Sequence, residues 1–126
     1  MAIPAISVPL GRYARAWLSE QGLLGNLEGR IIVTEHARAT LAAVDAGHAE
    51  LAVIYRSELR LAKRAKTIQL IEASEHRPIR YVVARASHAR ECTSIDDALH
   101  AWRRPALQQA LARADFIPID GFQEPR

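Results

Sequence analysis

Residues 30–55 read RIIVTEHARATLAAVDAGHAELAVIY, and this stretch decides the fold. Its first part, Arg30–Thr34, holds a run of β-branched residues typical of a strand buried in a parallel sheet. Ala37–Ala46 follows with the apolar spacing of a helix, and Gly47 stands where a left-handed residue would end that helix. Leu51–Tyr55 is again apolar and predicts another strand. A strand, a helix and a strand in this order predict a βαβ unit with parallel strands.

The residues before this stretch add one more strand and one more helix. Ala2–Ile6 is a short apolar run that ends at a turn, which predicts a buried strand. Tyr13–Gln21 has amphipathic helical spacing. We therefore expect an α/β fold with a mainly parallel sheet, whose three parallel strands are Ala2–Ile6, Arg30–Thr34 and Leu51–Tyr55.

The middle of the chain is less regular. Ser57–Lys66 is its most basic segment and predicts a short helix, and two later apolar runs are strand candidates. These two runs are Thr67–Ile71 and Ile79–Ala84.

Two helices are expected towards the C-terminus. One spans Ile95–Trp102, and the other begins at Pro105, because proline suits the first turn of a helix, and ends near Ala114. We divide the chain into two regions on this basis. They are an α/β lobe, residues 1–93, and a C-terminal helical segment with a tail, residues 94–126.

The composition is that of a soluble globular protein. The chain has 126 residues and is 49% hydrophobic and 25% charged, so it can bury a core without disulfides or metal. The net charge is +3, and the arginines and lysines are spread along the chain rather than gathered as in most nucleic-acid-binding proteins. Cys92 is the only cysteine, which excludes an intrachain disulfide and a thiolate metal cluster. No stretch is long enough to span a bilayer, and we find no secretory signal in the first ten residues.

Two strand-to-helix turns are candidate binding sites. The first is Val8–Tyr13 and the second is Thr34–Arg38. Each turn leads into a helix whose first N–H groups lack intrahelical partners, and such helix starts bind anions. In a parallel sheet both turns lie at the edge formed by the carboxyl ends of the strands. Every α/β fold contains turns of this kind, so a purely structural role stays open.

Two side chains stand out near these turns. Tyr55 ends the third predicted strand at the same edge, where its hydroxyl either donates to a ligand or simply packs. His36 lies in the second turn and is a candidate protonatable donor. The five histidines show no metal-ligand spacing, and no Gly-x-Ser-x-Gly, Walker A or Gly-x-Gly-x-x-Gly motif occurs. We therefore predict no metal site, no catalytic residues and no enzyme activity.

Four segments together resemble a known family. They are PLGRYA at Pro9–Ala14, EHARATL at Glu35–Leu41, AGHAELAVIYRSE at Ala46–Glu58 and PIRYVV at Pro78–Val83. In this order and spacing they resemble the motifs P-x-G-x-Y-A, E-N-V-R-x-x-L, x-G-E-A-D-x-G-I-V-Y-x-S-D and P-I-x-Y-P-V of molybdate-binding proteins from ABC importers. The resemblance covers nearly the whole chain, from about Ile3 to Ile119.

The resemblance implies a fold and a function. Members of the family have two α/β lobes of the type II periplasmic binding protein fold, which clamp a tetrahedral oxyanion between them. This chain resembles the second lobe, a three-layer α/β/α unit, with the C-terminal return segment, and so looks like a truncated one-lobe form. The implied ligand is molybdate or tungstate with no other cofactor. The implied partners are the membrane subunits of an ABC transporter, and the implied location is the periplasm.

The resemblance also assigns site residues. By position, the second-lobe contacts fall on Leu10 and Ala37, which would donate backbone N–H groups, and on Tyr55, which would donate its hydroxyl. Gly11 and His36, which adjoin them, are also candidate ligand-binding residues. The chain departs from the family pattern because Leu10 replaces a small residue and His36 replaces asparagine or aspartate. Val82 replaces a proline as well.

The sequence leaves two alternative functions open and also suggests an oligomeric state. The effector-binding domain of a transcription regulator shares the fold, although the chain shows no helix-turn-helix. An interaction or nucleic-acid-binding module would use Arg56–Lys66, but this segment lacks interleaved aromatic residues, so we expect a solvated face and no nucleic-acid partner. We also expect a homo-oligomer, a dimer, because in the two-lobe family the first lobe covers part of the segment that here is Ser94–Phe116. The alternative is that these helices fold back on their own sheet.

Overall fold

The computed structural model describes residues 1–86 and 93–117. The described residues divide into two compact units, one within Met1–Ile79 and the other within Arg80–Arg126. The strands and α-helices are β1 (Ala2–Pro4), α1 (Pro9–Glu20), β2 (Ile32–Thr34), α2 (Ala37–Asp45), α3 (Thr93–Ala101) and α4 (Pro105–Arg113). Short 3-10 turns lie at Gly25–Leu27, Arg56–Leu61 and Ala73–Glu75. None of the described helices has the length and apolar character needed to cross a membrane.

The sheet is parallel, and β1 lies at its centre. On one side Ala2, Ile3 and Pro4 pair in register with Ile32, Val33 and Thr34 of β2. On the other side Ala2 forms a parallel bridge with Ala52, and the Ala2 N–H donates to the Leu51 carbonyl at 2.7 Å. The expected α/β fold with parallel strands is therefore confirmed. The third predicted strand is reduced to the bridge at Ala52.

The helices α1 and α2 cover opposite faces of the sheet. On one face Ile3 packs with Ala14 and Leu18 of α1. On the other face Thr34 and Thr40 of α2 share a hydrogen bond between their hydroxyl oxygens at 2.6 Å. Successive residues of a strand point to opposite faces of the sheet, so Ile3 and Pro4 face opposite ways. Thr34 pairs with Pro4 and shares its face, so Thr34 and Ile3 lie on opposite faces. The result is the α/β/α layering that two right-handed crossovers in opposite directions produce.

The core of the first unit is small and centred on α1. Leu10, Ala14 and Leu18 recur every four residues along this helix and are all buried, as expected of an amphipathic helix on a sheet. Ile3 and Thr40 are also completely buried. The stability of the first unit therefore depends on how α1 packs against β1.

The helix boundaries largely follow the predictions. Helix α1 begins at Pro9, four residues before the predicted start, because Pro9 occupies its first turn. Helices α2, α3 and α4 lie within two residues of their predicted bounds. Gly47 has a φ of 79°, the left-handed conformation predicted for the residue that ends α2.

Two predicted strands are wrong. Neither Thr67–Ile71 nor Ile79–Ala84 forms a strand in the part of the chain that the structure describes. Their apolar side chains are largely solvent-exposed, with Ile68 81% and Val82 85% exposed. An apolar run forms a strand only if the backbone of a neighbouring segment pairs with it, and neither run has such a neighbour among the described residues. The predicted helix at Ser57–Lys66 is a 3-10 turn, Arg56–Leu61.

The second unit contains α3 and α4. Pro105 is at the start of α4, as predicted. Tyr81 and Phe116 meet edge to face, with ring centroids 5.4 Å apart and planes at 75°. Leu99 and Trp102 are exposed on and just after α3. Self-association through Ser94–Phe116 stays a prediction.

Asp45, the last residue of α2, binds the backbone of the later segment Lys63–Ala65 through hydrogen bonds. Its Oδ2 accepts the Lys63 N–H at 3.0 Å, and its Oδ1 accepts the N–H groups of Arg64 and Ala65 at 2.8 and 2.7 Å. Hydrogen bonds from Lys63, Ala65 and Arg64 favour the ionised carboxylate and hold the pKa of Asp45 below its usual value of 3.8. One carboxylate thus orders three consecutive residues.

This contact predicts a pH-dependent contribution to stability. Because folding lowers the pKa of Asp45, the contribution is present above pH 3.8 and is lost as the pH falls through the lower, folded-state pKa. Asp45→Asn should unfold at a lower urea concentration than the wild type at pH 7. The difference between the two proteins should shrink at acidic pH, where the wild-type carboxyl is protonated as well. Urea unfolding curves recorded from pH 7 downwards test this, and a difference that is independent of pH would contradict it.

Candidate functional site

The predicted site residues lie at one edge of the sheet. Because β1, β2 and the segment at Ala52 run parallel, their carboxyl ends share that edge. The Ala5 N–H donates to the Thr34 carbonyl at 2.8 Å, so the chain leaves β1 and β2 at adjacent points, which we call the first two chain exits. The residues that follow these exits are the five predicted from the sequence: Leu10, Gly11, His36, Ala37 and Tyr55.

The start of α1 offers backbone donors. Val8 is the N-cap residue, with extended φ and ψ of −87° and 136°, and no side chain caps this end of the helix. Pro9 has no N–H, so the first donors of α1 are the N–H groups of Leu10 and Gly11. The side chain of Leu10 is buried. Leu10 therefore contributes its backbone to the edge and its side chain to the core.

Gly11 is required by close packing rather than by a special backbone angle. A Cβ atom at this position would overlap the carbonyl oxygens of Pro4 and Ala5 at the end of β1. The absent side chain lets the first turn of α1 approach the strand end directly. Sequence reasoning marked Gly11 as a neighbour of the ligand, and the structure adds this packing role.

Arg15 is a residue near this edge that the sequence analysis missed. Its Nη1 donates to the Pro4 carbonyl at 2.6 Å and to the Gly11 carbonyl at 3.0 Å. It therefore links α1 to the end of β1 and places a positive charge beside the edge. The only sequence signal was its position one helical turn after Gly11.

The start of α2 is capped by His36. This residue is extended, with φ and ψ of −162° and 170°, and its Nδ1 accepts the Ala39 N–H at 3.1 Å. The carbonyl of His36 accepts the Thr40 N–H at 3.1 Å, which leaves the N–H groups of Ala37 and Arg38 as the first donors of the helix. Since Nδ1 is an acceptor, the proton of the neutral ring is on Nε2. Any donation from the neutral His36 ring therefore comes from Nε2.

Tyr55 lies at the third chain exit, where the chain leaves the segment that pairs through Ala52. It is half-buried, and its carbonyl accepts the Glu58 N–H at 2.9 Å, which starts the 3-10 turn Arg56–Leu61. An ion pair of 3.9 Å between Arg38 Nε and Glu58 Oε2 joins this turn to α2. The turn after Tyr55 and the start of α2 are therefore neighbours.

The groups at this edge are of a kind that can bind an anion. Two helix starts present backbone N–H groups together with the positive ends of their dipoles. Within the described residues no group of three or more His, Cys, Asp or Glu side chains is placed to hold a metal ion. The backbone donors are neutral, and the guanidinium of Arg15 adds a positive charge beside the edge.

Comparisons with known proteins point in the same direction. A family model described as bacterial extracellular solute-binding protein matches residues 1–116. Over 77 residues the chain is 27% identical to molybdate-binding protein ModA of Haemophilus influenzae and 30% identical to molybdate-binding protein ModA of Escherichia coli, covering 61% of this chain and 30% of each relative. Over 98 residues it is 24% identical to the putative ABC transporter substrate-binding lipoprotein YvgL of Bacillus subtilis, covering 75% of this chain and 38% of that protein. The aligned regions thus span only about a third of the length of these relatives.

Proposed function

The chain belongs to the bacterial extracellular solute-binding protein family, and on that premise we propose that it binds a tetrahedral oxyanion, molybdate or tungstate, for an ABC importer. The observation that carries the proposal is the pair of helix starts, α1 and α2, at the carboxyl edge of one parallel sheet. The names of two relatives, which are molybdate-binding proteins, support the choice of ligand.

In this proposal each of the three segments that follow β1, β2 and Ala52 contributes one hydrogen-bond donor. The backbone N–H groups of Leu10 and Ala37 and the hydroxyl of Tyr55 hold the oxygens of the anion. Gly11 contributes by letting α1 start close to β1, and His36 by fixing the first turn of α2. The helix dipoles add favourable electrostatics. The function is binding without a chemical step.

The proposal extends to partners and location. A solute-binding protein of an importer delivers its ligand to membrane subunits, so the proposed partners are the membrane subunits of an ABC transporter and the proposed location is the periplasm. The name of the Bacillus subtilis relative, a putative ABC transporter substrate-binding lipoprotein, supports the assignment of an ABC transporter as partner. The family match favours an importer component over the effector domain of a transcription regulator.

We expect the 126-residue chain to bind molybdate with micromolar affinity at best. The proposed donors come from one lobe only, and each hydrogen bond to a charged group contributes about 1.5–3 kcal/mol. Solvent at the open side of the edge keeps the effective dielectric constant high and weakens each interaction further. Isothermal titration with molybdate, tungstate and sulfate measures the affinity and the selectivity. Nanomolar binding by a monomer would contradict the one-lobe site.

Tyr55→Phe tests the proposed hydroxyl donor within the same titration. Loss of one hydrogen bond to a charged ligand should weaken molybdate binding by about tenfold or more. Tyr81→Phe is the matched control, because Tyr81 belongs to the other compact unit and should leave the affinity unchanged. Equal affinities of the two variants would remove Tyr55 from the site, whereas no saturable binding by the wild type would overturn the proposed function.

A further inference from the structure

A groove runs along α2 on the side where the chain returns after the 3-10 turn Arg56–Leu61. The groove is open to solvent and has a volume of about 410 Å³. Its apolar lining consists of Leu41, Ala42, Ala46 and Leu61. None of these residues belongs to the proposed oxyanion site, so the groove needs a separate explanation.

The groove is open rather than filled by its own side chains. Leu61 is 47% exposed although it lines an apolar surface. Leaving a leucine half in water costs free energy that burial against another molecule would recover. An exposed apolar lining inside a concave surface is characteristic of an interface.

Most of the charges around the groove are positive, and Asp45 is the one acidic residue among the described residues that line it. Arg38 and Lys63 line it, and the side chain of Arg38 is 75% exposed. Arg60, Arg64 and Lys66 are exposed on the same chain segment. Among the acidic groups nearby, Asp45 accepts three backbone N–H groups, and Glu58, only 21% exposed, lies 3.9 Å from Arg38 Nε while its Oε2 makes no hydrogen bond to any residue that the structure describes. A ligand would therefore meet cations around an apolar centre.

One wall of the groove is held in place by Asp45. Its carboxylate fixes the backbone of Lys63, Arg64 and Ala65 against the end of α2. This contact orders the backbone of Lys63–Ala65, so the basic side chains of Lys63 and Arg64 extend from a fixed backbone. A preformed wall lowers the entropic cost of binding a partner.

We propose that this groove is a docking surface for an acidic segment of another protein, which inserts one or two apolar side chains between Leu41 and Leu61. Charge complementarity selects an acidic partner, and the apolar lining selects one that carries hydrophobic side chains. A nucleic acid fits less well, because single strands require aromatic platforms and none of the residues lining the groove is aromatic.

A synthetic probe tests the surface directly. The probe is a short fluorescein-labelled helical peptide with leucines on two successive turns and glutamates elsewhere, titrated against the whole chain by fluorescence anisotropy. We expect saturable binding that weakens as salt concentration rises. Leu61→Ser should weaken binding about tenfold, and the double variant Lys63→Gln, Arg64→Gln should do so by a similar factor while retaining the backbone N–H groups that Asp45 needs.

Matched controls separate the surface from general effects. Val82→Ser and Arg113→Gln alter an exposed apolar residue and a basic residue of the other unit, and should leave peptide binding unchanged. The Lys63→Gln, Arg64→Gln variant should keep the far-ultraviolet circular dichroism spectrum and the molybdate affinity of the wild type. The proposal is overturned if the probe does not bind or binds equally well with serines in place of its leucines. Tighter binding of a nucleic-acid oligonucleotide than of the probe would overturn it in favour of the other partner class.

Discussion

Replacing Gly11 with alanine is expected to lower the free energy of unfolding by about 1–3 kcal/mol, the usual range for overpacking a tight contact. Two effects compete in this substitution. Alanine is the better helix former, and inside a helix it normally gains about 1 kcal/mol over glycine. At Gly11, however, the new methyl group would overlap the carbonyl oxygens of Pro4 and Ala5, which are backbone atoms and cannot rotate away. We therefore expect the steric term to decide the sign.

The control for this prediction is Gly25→Ala. Gly25 lies in a 3-10 turn, and a Cβ atom there would meet no other atom within 4 Å. This variant should be as stable as the wild type to within about 0.5 kcal/mol. Urea unfolding of both variants at pH 7 gives the comparison. The packing role of Gly11 would be refuted if both substitutions had the same small effect.

Leu18→Ala should have the largest effect on stability, about 2–5 kcal/mol. Leu18 is completely buried and belongs to the core cluster with Ile3 and Ala14, which joins α1 to β1. Truncation removes apolar contacts and leaves a cavity that the rigid sheet cannot close. For a domain of this size such a loss is a large part of the total stability.

The matched control is Leu70→Ala, which makes the same chemical change where the side chain is 45% exposed. It should cost less than about 1 kcal/mol, because much of its side chain is already in water. Thermal unfolding followed by circular dichroism distinguishes the two variants. Equal melting temperatures would mean that the contact between α1 and β1 does not dominate the stability of the chain.

Local patterns predicted much of the fold. Amphipathic spacing located the helices, Gly47 and Pro105 marked an end and a start correctly, and the order of elements predicted parallel strands. The resemblance based on four short motifs is confirmed by the match to the bacterial extracellular solute-binding protein family. These features depend on neighbouring residues, so the sequence carries them directly.

Features that depend on distant residues could not be predicted in this way. The run Thr67–Ile71 has the apolar pattern of a strand, but pairing requires a partner that no local pattern specifies. The contacts of Asp45 with Lys63, Arg64 and Ala65 span 18 to 20 residues, and the contact of Arg15 with Pro4 spans 11. For such contacts only the folded chain shows which groups meet.

The candidate site was predicted in part. Reasoning from the two turns placed Leu10 and Ala37 at helix starts, and the structure puts both starts at the same edge of the sheet. The capping role of His36 and the steric role of Gly11 emerged only from atomic contacts. The contacts with an oxyanion stay predictions that the titrations described above test.

The central position of β1 has a consequence for how the chain folds. β1 precedes its pairing partners along the chain, and Ile32 and Ala52 follow Ala2 by 30 and 50 residues. Helix α1 can form early from local hydrogen bonds, but its apolar stripe stays uncovered until β1 has found a neighbour. Folding of the first unit is therefore limited by closure of long loops, and a nascent chain released or paused before residue 52 would expose α1 to aggregation or to chaperones.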